Sequence, residues 1–237
     1  MIQSIFSITE IVTGRVIRGY MQEARNMNYA VIGVCFALLL VTMVQALGWL
    51  APLNQYINTH IQHTRSIIAN AYTFTADIAF SLLVLALLFA YEVSKYRGLT
   101  RNYVLLVTSM IVSMIIVFVL KIVIREPRPG EEYVSYTVYQ AIMHADYFGF
   151  PSGHTARATV FAYFLGKRWR KAMPLLWLWA GGIALSRLVL GAHWFSDVIG
   201  AVLVGLFASL LAEALSDRLI TIYNKVIGFI PILRVVD

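Results

Sequence analysis

The chain has 237 residues, of which 59% are hydrophobic and only 13% are charged. So few polar residues cannot cover a soluble core of this size, and the composition therefore indicates a membrane protein. The net charge of +7 does not indicate nucleic-acid binding, because the basic residues lie between apolar runs rather than on one stripe. The single Cys35 lies in an apolar stretch, so the sequence contains no disulfide framework.

The first 27 residues predict an amphipathic helix in the membrane interface. Apolar residues such as Ile5 and Val12 are interspersed there with Arg15, Arg18 and Glu23. This segment lacks the basic start, compact apolar block and small-residue site of a cleaved signal peptide. We therefore expect it to stay on the membrane surface.

Six apolar runs then follow that are candidates for crossing a bilayer, which needs about 20 apolar residues. The fourth run is short and contains Arg157. We find no repeat or linker, and we predict a single all-α membrane domain with an interfacial helix (1–27), a six-span core (28–215) and a cytoplasmic tail (216–237). The six runs are 29–50, 72–92, 103–124, 153–166, 172–190 and 195–215.

The distribution of lysine and arginine predicts the orientation. With both termini in the cytoplasm, thirteen of the nineteen basic residues face inwards, as the positive-inside rule requires. The loop 167–171 alone contributes four of them. The six on the outer side are Arg65, Lys121, Arg125, Arg128, Arg157 and Arg187.

Three polar segments reach this outer side in the predicted topology. They are KIVIREPRP (121–129), PSGH (151–154) and SRLVLGAHWFSD (186–197). A lone Lys121 would be read as a cation that snorkels to the bilayer edge. Since Arg128 and Arg187 join it on the same face, an anion site is the better interpretation.

The PSGH segment supplies groups that an oxyanion needs. Gly153 permits close approach of the backbone, and the N–H groups at a helix start favour an anion. Read alone, Ser152 would be an ordinary helix N-cap. His193 and Asp197 are spaced i, i+4, so the carboxylate can hold one imidazole nitrogen and leave the other free as nucleophile or base.

Together these segments resemble the three-part signature of the type 2 phosphatidic acid phosphatase (PAP2) superfamily, K-x6-R-P, P-S-G-H and S-R-x5-H-x3-D. Every signature position is filled, in order, with the spacings of the family. The resemblance implies a six-helix membrane core and removal of phosphate from lipid phosphates or diphosphates without a metal or other cofactor.

The resemblance also implies a role for each matching residue. His193 would attack phosphorus and form a phosphohistidine, oriented by Asp197, while His154 would protonate the leaving oxygen and then activate water. The non-bridging oxygens would be held by Lys121, Arg128, Arg187, Ser152 and the Gly153 amide. Pro129, Pro151 and Ser186 would support the shape of the site.

Residues outside the signature leave alternatives open. Arg157 would either contact a second phosphate or head group, or be a helix-end cation that snorkels outwards. Asp77, near the outer side, would pair with an active-site cation in a functional or a structural salt bridge. The loop 130–148 is expected to cap the pocket, and His144 within it is expected to be a surface residue.

The leading hypothesis is a lipid phosphatase of the cell membrane with its active site at the outer face. Its substrate would be a polyprenyl diphosphate, phosphatidylglycerol phosphate or a lipid A phosphate, with the first preferred. Its partners would be the lipid substrate and the bilayer but no nucleic acid, and the sequence says nothing of an oligomer. A phosphotransferase acting through the same phosphohistidine is the first alternative. A polytopic anion transporter is the second, although the inverted repeats typical of transporters are absent from the sequence.

Overall fold

The structure is a computed structural model that describes residues 2–61 and 66–236. All of the regular secondary structure in those residues is helical, which confirms the all-α prediction. Short 3-10 helices occur at Ala145–Tyr147, Arg170–Ala172 and Pro231–Leu233. The α-helices are α1 (Ile2–Ala46), α2 (Ala51–His60), α3 (Ile67–Phe74), α4 (Ile78–Tyr96), α5 (Arg101–Ile124), α6 (Val138–Met143), α7 (Gly153–Arg168), α8 (Met173–Val189), α9 (Phe195–Ala214) and α10 (Ser216–Val226).

Five of the described segments are long and apolar enough to cross a bilayer, as expected of a multi-pass membrane protein. They correspond to five of the six predicted runs. The remaining run is α7, which has only 16 residues and falls below the length of a typical span. The five segments are Ala24–Ala46, Ile78–Tyr96, Arg101–Ile124, Arg170–Val189 and Phe195–Ala214.

The short helix α7 is the centre of the bundle. It packs against α5, α8 and α9, and small side chains such as Ala156, Ala158 and Ala162 are fully buried on it. Close packing explains how a helix with several polar residues can lie among apolar ones, because its neighbours shield it from lipid.

Two contacts show that α7 and α4 run side by side in the same direction. His154, in the first turn of α7, lies 3.8 Å from Asp77, which caps the start of α4. Arg168, at the last turn of α7, contacts Glu92 in the last turns of α4. The 16 residues of α7 therefore extend along most of the length of α4.

These contacts define two ends of the bundle. The site end contains Lys121, His154 and Asp197, and the opposite end contains Glu92, Arg168 and Glu213. The short helices α2 and α3 lie between α1 and α4 in the chain, and they pack against α9 and α8 respectively. The predicted second span, 72–92, included the end of α3, but the break at Asp77 separates α3 from α4.

The two termini also differ in part from the sequence-based expectation. Helix α1 runs from Ile2 to Ala46 without interruption, so the predicted N-terminal helix is continuous with the first span rather than a separate element. Its position relative to the bilayer stays a prediction. After α10 the chain returns to the α4–α5 turn, where Leu99 and Val235 form a parallel bridge.

Candidate active site

The start of α9 buries a histidine–carboxylate pair. The imidazole Nδ1 of His193 lies 3.1 Å from Oδ2 of Asp197, and the backbone N–H of Trp194 donates to the same oxygen at 2.8 Å. His193 is 3% exposed and Asp197 is fully buried. Asp197 thus lies against one imidazole nitrogen, as predicted, and leaves Nε2 for other contacts, but His193 lies before α9 rather than on one helical face with Asp197.

Three cations of the signature surround this imidazole. Burial lowers the pKa of His193 well below its ordinary value, and the positive charges of Arg187, Lys121 and Arg128 lower it further. The imidazole is therefore neutral at physiological pH, which is the form with a lone pair available for attack on an electrophile.

The loop before α7 contacts two of these cations directly. The ammonium group of Lys121 donates to the carbonyl of Phe148, and the guanidinium group of Arg128 donates to the carbonyl of Asp146. The N–H of Gly149 donates to the carbonyl of Glu126 at 2.8 Å, which pairs this loop with the segment after α5. The predicted capping loop 130–148 therefore ends directly against the signature cations.

A glycine is required where that loop meets α9. A Cβ atom on Gly149 would lie 2.8 Å from Oδ2 of Asp197, closer than side-chain carbons approach other atoms. The absence of a side chain lets the loop backbone lie against the histidine–carboxylate pair.

Arg187 and Arg157 approach the site from α8 and α7. Arg187 donates to the hydroxyl of Thr73 at 3.2 Å, and its Nε is buried without a partner among the described residues. Arg157 is only 5% exposed and donates from Nε to the carbonyl of Ala76 at 2.8 Å. It is therefore a buried cation, and the snorkelling interpretation is wrong.

The start of α7 contributes the remaining signature residues. Ser152 is fully buried, its N–H donates to the carbonyl of Asp197 at 3.1 Å, and its hydroxyl accepts from Thr155 at 3.3 Å. Gly153 begins the helix. A Cβ atom added to Gly153 would lie 3.3 Å from Nη1 of Arg157. Ser152 thus connects the start of α7 to the start of α9.

His154 projects at the same place and is partly accessible. Its side chain is 23% exposed, and its Nε2 lies 3.8 Å from Oδ2 of Asp77. The other oxygen of Asp77 accepts the N–H of Ala79 at 2.9 Å, so this carboxylate also caps α4. The expected pairing of Asp77 with an active-site cation is thus with His154 when its imidazole is protonated, and the charge of Asp77 also acts on Arg157.

A shallow surface depression adjoins His193 on the side of α2. Its apolar lining residues are Ile57, Ile61, Leu188, Trp194 and Phe195. Asn54 of α2 also lines it and fixes the start of α9, since its side chain donates to the hydroxyl of Ser196 at 2.7 Å and accepts the Ser196 N–H at 3.0 Å.

The three segments that form this site also match a known protein family. The PAP2 superfamily matches residues 102–220, which is half of the chain and includes all three signature segments. The chain belongs to the PAP2 superfamily. Relatives of this chain are named as a diphosphatase and as phosphatidylglycerophosphatases, and this PAP2 protein is a membrane-embedded hydrolase of phosphoric esters.

Individual relatives carry more specific names. The PAP2 protein is 29% identical over 167 residues to undecaprenyl-diphosphatase BcrC of Bacillus subtilis, an alignment that covers 67% of this chain and 80% of the relative. It is 37% identical over 81 residues to lipid A 1-diphosphate synthase of Escherichia coli. That alignment covers 32% of this chain and 34% of the relative.

A solved structure supports the fold. The crystal structure of a transmembrane PAP2 type phosphatidylglycerolphosphate phosphatase from Bacillus subtilis superposes with a TM-score of 0.65. The superposition covers 80% of this chain and 97% of the other at 20% sequence identity. The helical architecture is therefore shared.

Several contacts at the site were not anticipated from the sequence. The indole Nε1 of Trp194 donates to the carbonyl of Pro127 at 2.8 Å, and Asn54 holds Ser196. Glu126 lies beside Asp197, inside a signature segment where only the cations were considered. The acidic Glu126 within a basic segment was a sequence signal that could have indicated its role. No sequence signal indicates the contact of Asn54 with Ser196.

His144 lies apart from the site. The ring of His144 packs 5.5 Å from that of Tyr136, outside the histidine–carboxylate pair. Within residues 2–61 and 66–236, no group of three or more His, Cys, Asp or Glu side chains is arranged to hold a metal ion.

Proposed function

We propose that this PAP2 protein is a lipid phosphatase that transfers a phosphoryl group from a membrane lipid to His193 and then to water. One observation carries the proposal: a buried His193–Asp197 pair lies among cations that contact no carboxylate in the described residues. A site with this excess of positive charge is suited to a ligand with several negative charges, such as a phosphate or diphosphate.

In the first step, the lone pair on Nε2 of His193 forms a bond to phosphorus while the bond from phosphorus to the leaving oxygen breaks. Asp197 keeps Nδ1 protonated and stabilises the positive charge that develops on the ring. The neutral state of His193 supports this role, because only that form has a lone pair on Nε2.

His154 acts on the leaving group. Its protonated imidazole gives a proton to the leaving oxygen, and the neutral ring then takes a proton from the water that attacks the phosphohistidine. Burial and the positive charges of Arg187 and Arg157 disfavour the protonated form, whereas Asp77, 3.8 Å away, favours it, and the negative charge of a bound phosphate would favour it further. Partial exposure of His154 agrees with a role at the side where product and water exchange.

The basic residues stabilise the charge on the transferring phosphoryl group. Lys121, Arg128 and Arg187 would contact its oxygens together with Ser152 and the Gly153 amide. The Nε groups of Arg128 and Arg187 are buried and have no partner within the described part of the chain, so both retain donors for a ligand. Because these groups supply the positive charge, we expect activity to survive EDTA and to be inhibited by vanadate.

We propose a polyprenyl diphosphate as the preferred substrate. Support comes from the similarity to an undecaprenyl-diphosphatase, which extends over two thirds of this chain. A fourth cation, Arg157, lies buried one turn after His154 and would reach the second phosphate of such a substrate. Phosphatidylglycerol phosphate and a lipid A phosphate are the other candidates.

We further propose that the bundle crosses the cell membrane six times, with both termini in the cytoplasm and the site end outside. The course of α7 alongside α4, from Asp77 to Glu92, supports counting α7 as the sixth crossing. The basic loop 167–171 then lies inside, in agreement with the positive-inside rule.

A trapping experiment tests the chemistry. Detergent-solubilised protein would be mixed with radiolabelled polyprenyl diphosphate, quenched in alkali and examined for an acid-labile phosphoenzyme. We expect His193→Gln to abolish both phosphoenzyme and turnover, with a loss on the order of 10⁴-fold or more. His60→Gln is a matched control, because His60 is an exposed residue at the end of α2. A rate above about a tenth of wild type in His193→Gln would remove this residue from the nucleophile role.

Cysteine labelling tests the orientation. In a Cys35→Ser background, Ser135→Cys should react with a membrane-impermeant maleimide in intact cells, and Ala172→Cys only after lysis. Ser135 is exposed in the capping loop, and Ala172 lies in the basic loop before α8. The reverse pattern would place the site in the cytoplasm.

Phosphoryl transfer to a second lipid remains the alternative outcome of the same phosphohistidine. The similarity to lipid A 1-diphosphate synthase favours testing it. Adding an acceptor lipid phosphate to the assay distinguishes the two activities. A hydrolase releases inorganic phosphate in equal measure to substrate loss, whereas a transferase moves the label to the acceptor.

A further inference from the structure

Glu126 is an acidic side chain that the proposed reaction does not use. It lies between Lys121 and Arg128 in the sequence, and its backbone carbonyl accepts the N–H of Gly149. Its carboxyl group is within hydrogen-bonding reach of two side chains, those of Gln45 on α1 and Asp197 on α9. Three separate parts of the chain therefore meet at this carboxyl group.

Two carboxyl oxygens in this cluster are buried without a hydrogen-bond donor in the described residues. They are Oε2 of Glu126 and Oδ1 of Asp197. Ionised carboxylates only accept hydrogen bonds, and two of them in contact repel each other. A single proton shared between the two groups would satisfy both oxygens and remove the repulsion.

The surroundings decide which of the two groups holds that proton. Oδ2 of Asp197 already receives the Trp194 N–H and the imidazole of His193, and such donors stabilise an ionised carboxylate. Lys121 and Arg128 also place positive charge near Asp197. Among the described residues, the further side-chain partner of Glu126 is the neutral Gln45.

We propose that Glu126 is a neutral carboxylic acid that donates its proton in a hydrogen bond to Oδ1 of Asp197. It thereby holds the Asp197 carboxylate in the orientation that His193 requires. Glu126 is thus a positioning residue, which acts on the proposed reaction through Asp197 and touches no substrate. No proton is transferred in this arrangement, and Glu126 keeps it throughout.

The electrostatics agree with this geometry. Burial, followed by the negative charge of Asp197, raises the pKa of Glu126 to about 8. The group is therefore mainly protonated at pH 7 and loses its proton as the pH rises past 8. The groups that bear on it and on Asp197 are Gln45 from α1, Lys121 and Arg128 from α5 and the following segment, and His193 before α9.

Infrared spectroscopy tests the protonation state directly and does not depend on any activity. The carbonyl stretch of a carboxylic acid is separate from the bands of carboxylates, so a pH 7 minus pH 10 difference spectrum of the whole protein in detergent reports protonated carboxyl groups. We expect a carboxylic-acid band at pH 7 that disappears with a midpoint near pH 8 and is absent in Glu126→Gln. A wild-type spectrum without this band, or a band that persists in Glu126→Gln, would overturn the proposal.

Kinetics test the positioning role, which rests on the proposed phosphatase function. Glu126→Gln keeps a hydrogen-bond donor, so kcat should stay within about threefold of wild type. Glu126→Leu removes the donor, and kcat should fall roughly 10- to 100-fold while KM changes little. Equal loss in both variants, or no loss in either, would contradict positioning by a neutral acid.

The infrared result and the phosphoenzyme assay separate the two proposals. If wild type forms no phosphohistidine, the phosphatase mechanism fails, while the carboxylic-acid band still decides the state of Glu126. If Glu126→Leu does not fold, the infrared spectra of Glu126→Gln and His193→Gln still test the protonation state of Glu126. The latter should retain the band, because its Glu126 is unchanged.

Discussion

The two ends of the helix bundle treat their basic side chains differently. At the opposite end, three basic residues contact carboxylates. At the site end, no cation of the signature has a carboxylate within ion-pair distance among the described residues, and the contacts are with carbonyl and hydroxyl oxygens. The three pairs at the opposite end are Arg101–Asp217, Lys167–Glu213 and Arg168–Glu92.

This difference separates structural charges from functional ones. A buried charge without a countercharge destabilises the fold, so a protein retains it where a ligand supplies the missing charge. At the opposite end the protein supplies its own countercharges, and those cations need no ligand. The predicted effects of substitution therefore differ between the ends: loss of activity at one, loss of stability at the other.

The largest effect should come from the site end. Arg187→Gln should lower kcat/KM by about 10²- to 10³-fold, because it removes a charge that stabilises the transferring phosphoryl group. The melting temperature in detergent should not fall, since Arg187 balances no carboxylate within the described residues. Phosphate release and thermal unfolding measure the two quantities. If Arg187→Gln loses both folding and activity, Arg187 is a structural residue and the proposed difference between the two ends of the bundle is wrong.

A substitution at the opposite end should give the reverse result. Arg168→Met leaves Glu92 fully buried without its cation, which should cost about 3 kcal/mol of stability. Turnover per folded molecule should stay within about twofold. The double variant Arg168→Met/Glu92→Leu should regain part of the loss in melting temperature, because it removes the uncompensated charge as well. If the double variant is less stable than the single one, the pair is not the source of the effect.

A smaller effect is expected at Asp77, which is both a structural residue, as the cap of α4, and a functional one, as the neighbour of His154. Asparagine also caps helices, so Asp77→Asn should leave the start of α4 and the melting temperature nearly unchanged. Loss of the negative charge 3.8 Å from His154 should reduce kcat by about three- to tenfold. Asp77→Ala, which removes the cap as well, should additionally lower stability. An unchanged kcat in Asp77→Asn would limit Asp77 to its capping role.

The smallest effect should come from the exposed pair at the opposite end. Arg101 contacts Asp217, whose side chain is 90% exposed, and such pairs contribute about 1 kcal/mol or less. Arg101→Gln should therefore shift melting only slightly and leave kcat unchanged. A large loss of activity in this variant would show that the two ends are coupled.

Local sequence patterns were sufficient for much of this protein. Five of the six predicted apolar runs are helices of membrane-spanning length among the described residues, because hydropathy and run length depend only on neighbouring residues. The His193–Asp197 contact was predicted from i, i+4 spacing, and the contact is present, although His193 lies just before α9 and only Asp197 lies in its first turn. The three signature segments indicated the family, which the comparison with known proteins confirms.

Contacts between distant segments were decided by the tertiary structure. Arg157 donates to Ala76, 81 residues away, and Asn54 holds Ser196, 142 residues away. No local spacing encodes such contacts, because they depend on how whole helices pack. The same applies to the surroundings of α7, a short helix with several polar residues whose neighbours shield it along its length.

The chemistry of the site divides in the same way. The sequence by itself determined which reactive groups are present, namely two histidines, a carboxylate and several cations, since their identities and order are those of a known signature. Only the tertiary structure decided that the signature cations lack carboxylate partners within residues 2–61 and 66–236, and that Glu126 lies against Asp197. Charge balance and shared protons depend on distances between side chains in space, and these are set by packing rather than by position along the chain.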